Sequence, residues 1–551
     1  MKLDFNPATG AYLIRVPRSN AAFAKTLQSE HGFDFSTTAS HAGEAVLFTR
    51  EPYAAATFSD IATPVAAQSL SGIVAQIERS RAATSDRHYK TPLGKELWGF
   101  QKADLDYALD RTHTLIGDQP GLGKTPVAIT YANEIDAKDV LVVCPANIRL
   151  QWAQRISEWS TMIRPYISPL TNGRHGPFPT DTTRVGWNIV SYDLARTPAM
   201  GAALARGRYS LLILDEAHYV KSVDSKRTRA IFGGGKERSF DALVDRSDRV
   251  LALTGTPLPN RPREAYTLCR GLCFDAIDWM SEDRFKDRFN PSVVIAGTRA
   301  DGSEYRRVDE RSGRHAELQN RLRGNFMVRH LKREVMTQLK MPVYDLIQVE
   351  ATGAVKQALQ AESLLHIDPE TLEGADAEVL GHVAEVRQQM GIALAPQVAE
   401  YVNMLIDGGE SKLVVFAWHI EVLNILERAW KPHGCLRIDG RTSPTRKQEL
   451  IDEFRRNPKF QIILGNIQSM GTGTDGLQDV ASHGLVAEPP WTPGELEQCG
   501  SRLDRGGQRA AVQLDTFVAP GSFAERILAG SLRKLHVTNA ALDKRLDTST
   551  F

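Results

Sequence analysis

The sequence predicts an α/β protein of two tandem parallel-sheet lobes, with a helical insertion between them and a small α+β domain at the N-terminus. Three observations carry this. Short apolar runs recur between amphipathic segments in two separate stretches, and strands apolar on both faces belong to parallel sheets covered by helices. A chain of 551 residues, 42% hydrophobic, exceeds what one core holds and implies roughly three or four domains. A charged, glycine-containing segment interrupts the rhythm between the two stretches.

The first domain spans residues 1–88. A strand (Tyr12 to Val16), a helix (Ala21 to His31) and a second strand (Glu44 to Thr49) precede an Ala/Ser-rich helical stretch, and RAATSDRHYKTP reads as the linker out of it. Phe33, Phe35, Tyr53 and Phe58 either fill its small core, the ordinary use, or stack on exposed bases. Residues 89–275 form lobe one, with VLVVCP, LLILDEA and VLALTGTP as strands. Residues 276–345 form the insertion. There HAELQNRLRGNFMVRHLKREVMTQL reads as helix, with Met327, Leu331 and Val335 on one face and Arg329, Lys332 and Arg333 clustered. Residues 346–551 form lobe two, a polar helical segment followed by the strands KLVVFAW, QIILG and HGLVAEP.

Bulk properties exclude several classes. With 67 basic and 66 acidic side chains the net charge is +1, so any polyanion-binding surface is local. Five scattered cysteines with no CxxC pair argue against a disulfide framework or a zinc site and fit a reducing compartment. No apolar leader opens the chain and no apolar stretch reaches membrane-spanning length, so the expectation is a cytoplasmic, nucleoid-associated or nuclear protein without a membrane partner.

The chemistry lies in ordered motifs. GDQPGLGKT follows the apolar THTLI and precedes a helical run; its Gly121, Gly123, Lys124 and Thr125 match the end of a phosphate-binding loop. Glycines let backbone amides approach phosphates, Lys124 would reach the β and γ phosphates of ATP, and the Thr125 hydroxyl would bind Mg2+. LLILDEAH delivers two carboxylates at the end of a strand, Asp215 for magnesium and Glu216 to polarise the attacking water. In the second lobe, ELEQCGSRLDRGGQ sets Gln498, Arg502 and Arg505 at helical spacings on one face, and two arginines aimed one way suit a triphosphate. Each motif alone has a bland reading as turn, cap or solvated face; their order and spacing favour the catalytic one.

In that order the motifs resemble those of superfamily-two helicases, and within them the Swi/Snf-type ATPases, over about residues 93 to 525. The chain resembles the HARP-type annealing helicases in particular. RPREAY follows TGTP, FMVRHLKREV resembles their MIRRLK block, VRQQMGIALAP precedes the second lobe, and WTPGELEQCGSRLDRGGQ resembles their WNPG segment. The resemblance implies RecA-like lobes, the nucleotide-loop aspartate at Asp118, and Gln101 on the adenine edge, a task suited to a bidentate amide. Departures from the family pattern are Gln119 and Pro120 for an acidic residue and methionine, Leu394 for a common lysine, and Gly506 for a large aliphatic residue.

A motor on a regular track needs backbone-directed contacts without sequence readout. The candidates are Asn147 and Arg149 after Pro145, Thr254, Arg441, Thr442 and Ser443, and Ser469 and Thr472 between glycines. Ser443 before Pro444 also reads as an ordinary helix cap, and one residue can serve both uses. By the resemblance, Arg329 and Lys332 would add a contact to duplex DNA, against a solvated basic face. The expected protein is a monomeric, ATP-driven translocase on duplex or branched DNA. Its rivals are an unwinding DNA or RNA helicase and a DNA-bound scaffold or protein-displacing factor.

Overall fold

A computed structural model describes residues 1–41, 43–170, 186–234, 242–258, 261–298, 304–310, 313–336, 342–364, 377–470, 475–490, 493–526 and 528. Leu3–Asn6 (β1), Ala11–Pro17 (β2), Asp34–Phe35 (β3) and Glu44–Thr49 (β4) form an antiparallel sheet in the order β1-β2-β4-β3. Helices Ala21–Ser29 and Pro64–Arg79 cover one face through Phe23, Leu27, Leu70 and Ile77. Phe33 and Phe58 meet edge to face at 5.6 Å inside this core, whereas Phe35 is exposed.

Lobe one is built on His113–Ile116 (β5), Asp139–Cys144 (β6), Tyr166–Pro169 (β7), Gly186–Ser191 (β8), Leu211–Asp215 (β9) and Val250–Leu253 (β10). Past a hairpin of Ser292–Thr298 (β11) and Glu304–Glu310 (β12), Met327–Val328 (β13) returns to the same sheet. The parallel order is β13-β5-β10-β9-β6-β8-β7. Every residue of β9 is buried, as a strand sandwiched between helix layers requires. Lobe two repeats the plan with Val343–Gln348 (β14), Leu413–Ala417 (β15), Cys435–Ile438 (β16), Ile462–Asn466 (β17), His483–Val486 (β18) and Gln513–Val518 (β19). They run parallel in the order β14-β19-β18-β15-β17-β16. Among the described residues no helix is long and apolar enough to cross a membrane.

The expected helical insertion is corrected at its C-terminal end. Met327, Leu331 and Val335 do not share one helix. The helix His315–Asn325 stops, and the chain runs extended beside β5, with Leu115, Gly117 and Gln119 N–H groups donating to Phe326, Val328 and His330 carbonyls at 2.8, 2.8 and 3.1 Å. An open sheet edge next to the phosphate loop needs those partners more than residues 327–335 need another turn of helix. Only Lys332–Val335 then coils again. The His315–Asn325 helix also carries the N-terminal domain: Asn320 donates to the Tyr53 carbonyl at 2.9 Å, Arg321 bridges to Glu51 at 2.5 Å and lies 4.9 Å from the Tyr53 ring centre. Tyr53 is thus a docking residue of its domain.

Candidate active site

β5, β10 and β9 lie side by side, so their C-terminal ends bring the Gly117–Gly123 loop, Thr254 and Asp215 to one edge of lobe one. The loop turns through Gly121 (φ +90°) and Gly123 (φ +78°) into the helix Lys124–Glu134. A Cβ on Gly123 would stand 2.5 Å from Gln101 Nε2, so glycine is required there by space as well as by backbone conformation. Lys124 Nζ donates to the Asp118 and Gln119 carbonyls at 2.7 and 3.3 Å. Burial draws it below the usual lysine range, against the pull of Glu216, Asp118 and Asp215.

The two carboxylates of β9's end are held differently. Asp215 accepts from the Trp152 indole at 2.7 Å and from the Glu216 amide at 3.0 Å, and burial followed by the Glu216 charge lifts its carboxyl to about 6. Glu216 stands in the left-handed region (φ +53°), a conformation a non-glycine residue adopts only where its surroundings enforce it. Burial alone would raise its carboxyl. The hydrogen bond from His218, at 3.2 Å, and the Lys124 and Arg502 charges outweigh that and hold it below the usual glutamate range.

Lobe two faces this edge across a cavity of about 490 Å3, lined among others by Gln101, Thr125, Asp215, Glu216, Gln498 and Arg502. Arg502 Nε donates to the Gln498 carbonyl at 3.3 Å and Arg505 Nη1 meets Asp475 at 3.2 Å. Burial, then the Arg505 charge, lowers Arg502 to about 9; burial likewise lowers Arg505, against the pull of Asp475. Two guanidiniums withdrawn from water at the cleft, Arg505 of them paired with the Asp475 carboxylate, favour an anion there. Thr125 and Asp215 supply a hydroxyl and a carboxylate to the same cavity, the hard oxygen donors a magnesium–nucleotide complex uses.

The SNF2-related domain family matches residues 77–391, and the helicase conserved C-terminal domain family matches residues 397–507. The chain belongs to the SNF2-related family. Its second lobe carries the helicase conserved C-terminal domain. It is 28% identical over 466 residues to the DNA annealing helicase and endonuclease ZRANB3 of Bos taurus, covering 82% of this chain and 41% of that protein. It is 30% identical over 439 residues to the SWI/SNF-related matrix-associated actin-dependent regulator of chromatin subfamily A-like protein 1 of Xenopus tropicalis, covering 78% of this chain and 43% of that protein. The chain thus spans about two fifths of the length of these relatives. Among solved structures, the SWI2/SNF2 ATPase core of Sulfolobus solfataricus in complex with dsDNA aligns with 82% of this chain and 98% of that one, at 16% identity and a TM-score of 0.35.

Within this SNF2-related chain several expected site residues stand elsewhere than anticipated. Asp118 turns its carboxylate away from the cleft: it accepts the His330 amide at 2.8 Å and, with Asp104, flanks the His330 ring at 3.2 Å. Its part is to shape the loop from behind. Gln101 spends its amide on the loop as well, donating to the Leu122 carbonyl at 2.9 Å and accepting from Trp98 N–H at 3.0 Å, although it still lines the cavity. Thr254 is fully buried and lies 3.0 Å from His218 Nδ1, so its hydroxyl meets the Glu216–His218 pair and no nucleic-acid surface. Arg329 is buried and braces the Gly117 and Gly255 carbonyls, the latter at 3.2 Å. Lys332 bridges the lobes through Asp504 at 2.7 Å. In this geometry Thr254 and Arg329 are buried and Lys332 is engaged by Asp504.

The remaining track candidates gather at loop ends. Arg441 is exposed and pairs with Asp439 at 2.8 Å, Thr442 Oγ1 accepts from the Asp439 amide at 3.0 Å, and Ser443 caps the helix Pro444–Arg456 by accepting from Arg446 N–H at 3.2 Å. Ser469 adjoins Gly440, and its carbonyl accepts from Lys447. In lobe one Arg149 is half-buried against the Ala146 and Leu170 carbonyls. The Asn147 side chain and Thr472 lie outside the described residues. A polar groove of about 660 Å3 separates the Arg149–Trp159 helix from the Pro444–Arg456 helix.

Three further residues complete the site, and the motifs gave none of them a role. Gln119, a departure from the family pattern, accepts from the Lys332 amide at 2.8 Å and donates to Glu497 of lobe two at 3.2 Å. An amide can do both; a carboxylate would repel Glu497. Asp475 takes Arg155 of lobe one at 2.5 Å and Arg505 of lobe two at 3.2 Å. The third is Trp152, the indole donor to Asp215. Its only sequence signal was a tryptophan and an arginine, Trp152 and Arg155, spaced i, i+3 on a polar helix after a strand-end loop.

Proposed function

We propose that the chain is an ATP-driven translocase on double-stranded DNA that rewinds or remodels branched duplexes. One observation carries the reading: Lys124, Thr125, Asp215 and Glu216 on lobe one face Arg502 and Arg505 of lobe two across a single cleft. The names of the matched relatives, an annealing helicase among them, support DNA as the track.

On this reading the P-loop amides and Lys124 bind the phosphates, and Thr125 with Asp215 would hold Mg2+, which would supply charge neutralisation to the triphosphate. Glu216, kept ionised by His218, accepts a proton from the attacking water. Arg502 and Arg505 of lobe two find their counter-charge in a triphosphate held by lobe one, and that attraction draws the lobes together. Hydrolysis and phosphate loss remove that attraction and release them, so the lobes alternate their grip on the backbone through Arg149 and Asn147 on one side and Arg441, Thr442, Ser443, Ser469 and Thr472 on the other.

The test is steady-state ATP hydrolysis without nucleic acid and with single-stranded DNA, duplex DNA, a branched fork and duplex RNA, beside Lys124→Ala and Arg505→Ala. Expected is stimulation by duplex or fork DNA that both variants abolish, with a triplex-forming strand displaced but a duplex not unwound. Preference for RNA, strand release, or DNA binding without turnover overturns it.

A further inference from the structure

The helix Arg149–Trp159 connects more of the machinery than its sequence suggests. It begins directly after the strand-end loop that carries Asn147, and its first residue is pinned to the Ala146 and Leu170 carbonyls. One turn on, Trp152 is 2% exposed and its indole N–H donates to Asp215 Oδ2 at 2.7 Å. A further turn on, Arg155 crosses to Asp475, the carboxylate that also holds Arg505. Asp215 is gripped from three sides: Trp152 on one oxygen, the Glu216 amide on the other at 3.0 Å, and the Tyr192 hydroxyl on its carbonyl at 3.0 Å.

A buried indole N–H needs an acceptor, but the choice of this one is informative. Hydrogen bonds to a metal-binding carboxylate fix its rotation and so the direction of its remaining lone pairs, and they tune metal affinity from outside the coordination sphere. We propose that Trp152 is a positioning residue for the magnesium carboxylate Asp215, turning it toward the nucleotide's metal and tying its rotation to the helix that begins at the track-contacting loop. The inference rests on the assignment of magnesium to Asp215. It makes the metal's grip sensitive to the placement of the Arg149–Trp159 helix, and thereby to what the Asn147 loop holds.

The experiment is equilibrium binding of a fluorescent ATP analogue to the full chain, titrated with Mg2+ and repeated in chelator. The variants are Trp152→Phe, Asp215→Asn, and the chain carrying benzothienylalanine at position 152. That side chain keeps the indole shape but replaces N–H with sulfur, so it separates the hydrogen bond from packing should the phenylalanine variant unfold. Without magnesium, both Trp152 variants should bind nucleotide within about twofold of the parent, while half-saturating magnesium rises about 10- to 100-fold, the usual effect of losing an outer-shell partner. Excess magnesium should then recover binding and turnover. A shift equal with and without magnesium, or no shift in the benzothienyl variant, overturns the proposal. If Asp215→Asn itself leaves magnesium dependence intact, the assignment of the metal to Asp215 has failed instead.

Discussion

Removing the Lys332 ammonium should open the cleft. Its Nζ lies 2.7 Å from Asp504 Oδ2, and the two side chains keep only 12% and 8% of their exposure. Taking one partner from such a pair strands the other charge, at about 3 kcal/mol where some solvent contact remains. The pair joins two lobes with separate cores, so the loss falls on lobe closure and not on the folding of either lobe. About 3 kcal/mol corresponds to a shift of roughly 100-fold toward the open form. Small-angle scattering of Lys332→Ala should show a larger radius of gyration, and a non-hydrolysable ATP analogue should be needed at correspondingly higher concentration to restore the compact form. The double variant Lys332→Met/Asp504→Leu should return close to the parent, because an apolar pair replaces a buried ionic one with little net change. DNA affinity should keep its salt dependence. If instead Lys332→Ala leaves the scattering unchanged and lowers the slope of log affinity against log salt by about one, Lys332 is a phosphate contact and the argument fails.

Gln119→Glu should set a carboxylate against Glu497 and weaken nucleotide-induced closure by about 1–2 kcal/mol, and Glu497→Gln in the same chain should restore it; a double-mutant cycle on analogue affinity reads both. Gly123→Ala forces a side chain into φ +78° and onto the Gln101 amide, so fluorescent-ATP binding should fall by more than about 100-fold while the thermal melt moves little. Glu362 is buried, its Oε2 accepting the Phe523 amide at 2.7 Å, and burial raises its carboxyl to about 7. A raised folded-state value contributes stability that is full below the unfolded glutamate range and is lost as pH rises through 7. Glu362→Gln should therefore match the parent in urea melts at pH 4.5 and exceed it by about 2–3 kcal/mol at pH 8; a parallel offset at both pH values refutes the assignment.

How much of this was legible in the sequence follows from what each element buries. Strands β6, β9, β10, β15, β17 and β18 announced themselves, because a parallel strand covered on both faces has to be a continuous apolar run. β13 did not: it is two residues long, and its reason for being extended is the unpaired edge of β5, far away in sequence. β14 was hidden because most of its residues are exposed. The phosphate loop and the paired carboxylates stand at strand ends, where their motifs placed them, but the expected arginine helix stops at Gly500, and Arg502 and Arg505 lie in the turns that follow it. Arg329 and Lys332 misled for a different reason. Their partners are the Gly117, Gly255 and Asp504 backbone carbonyls and one carboxylate from the other lobe, and backbone acceptors leave no trace in sequence. Basic residues on a short polar segment read equally as a solvated face or a phosphate contact until burial is known.

The bridges between the lobes explain why the cleft can serve as a switch. The buried apolar clusters of lobe one and of lobe two share no residue, and the contacts that span the nucleotide cleft include Lys332–Asp504, Gln119–Glu497 and Arg155–Asp475. Polar bridges of this kind exchange protein partners for water when they open, so parting the lobes forfeits far less than exposing an apolar interface of the same area. Against them stand Arg502 and Arg505, buried side by side and depressed from the usual arginine range by burial and, for Arg502, by its neighbour. Without an anion, closure is favoured by these bridges and opposed by the burial of the two cations. A triphosphate changes only the second of these, turning the opposing interaction into an attractive one. That is sufficient for nucleotide binding and loss to drive the lobes in opposite directions without any rearrangement inside either sheet.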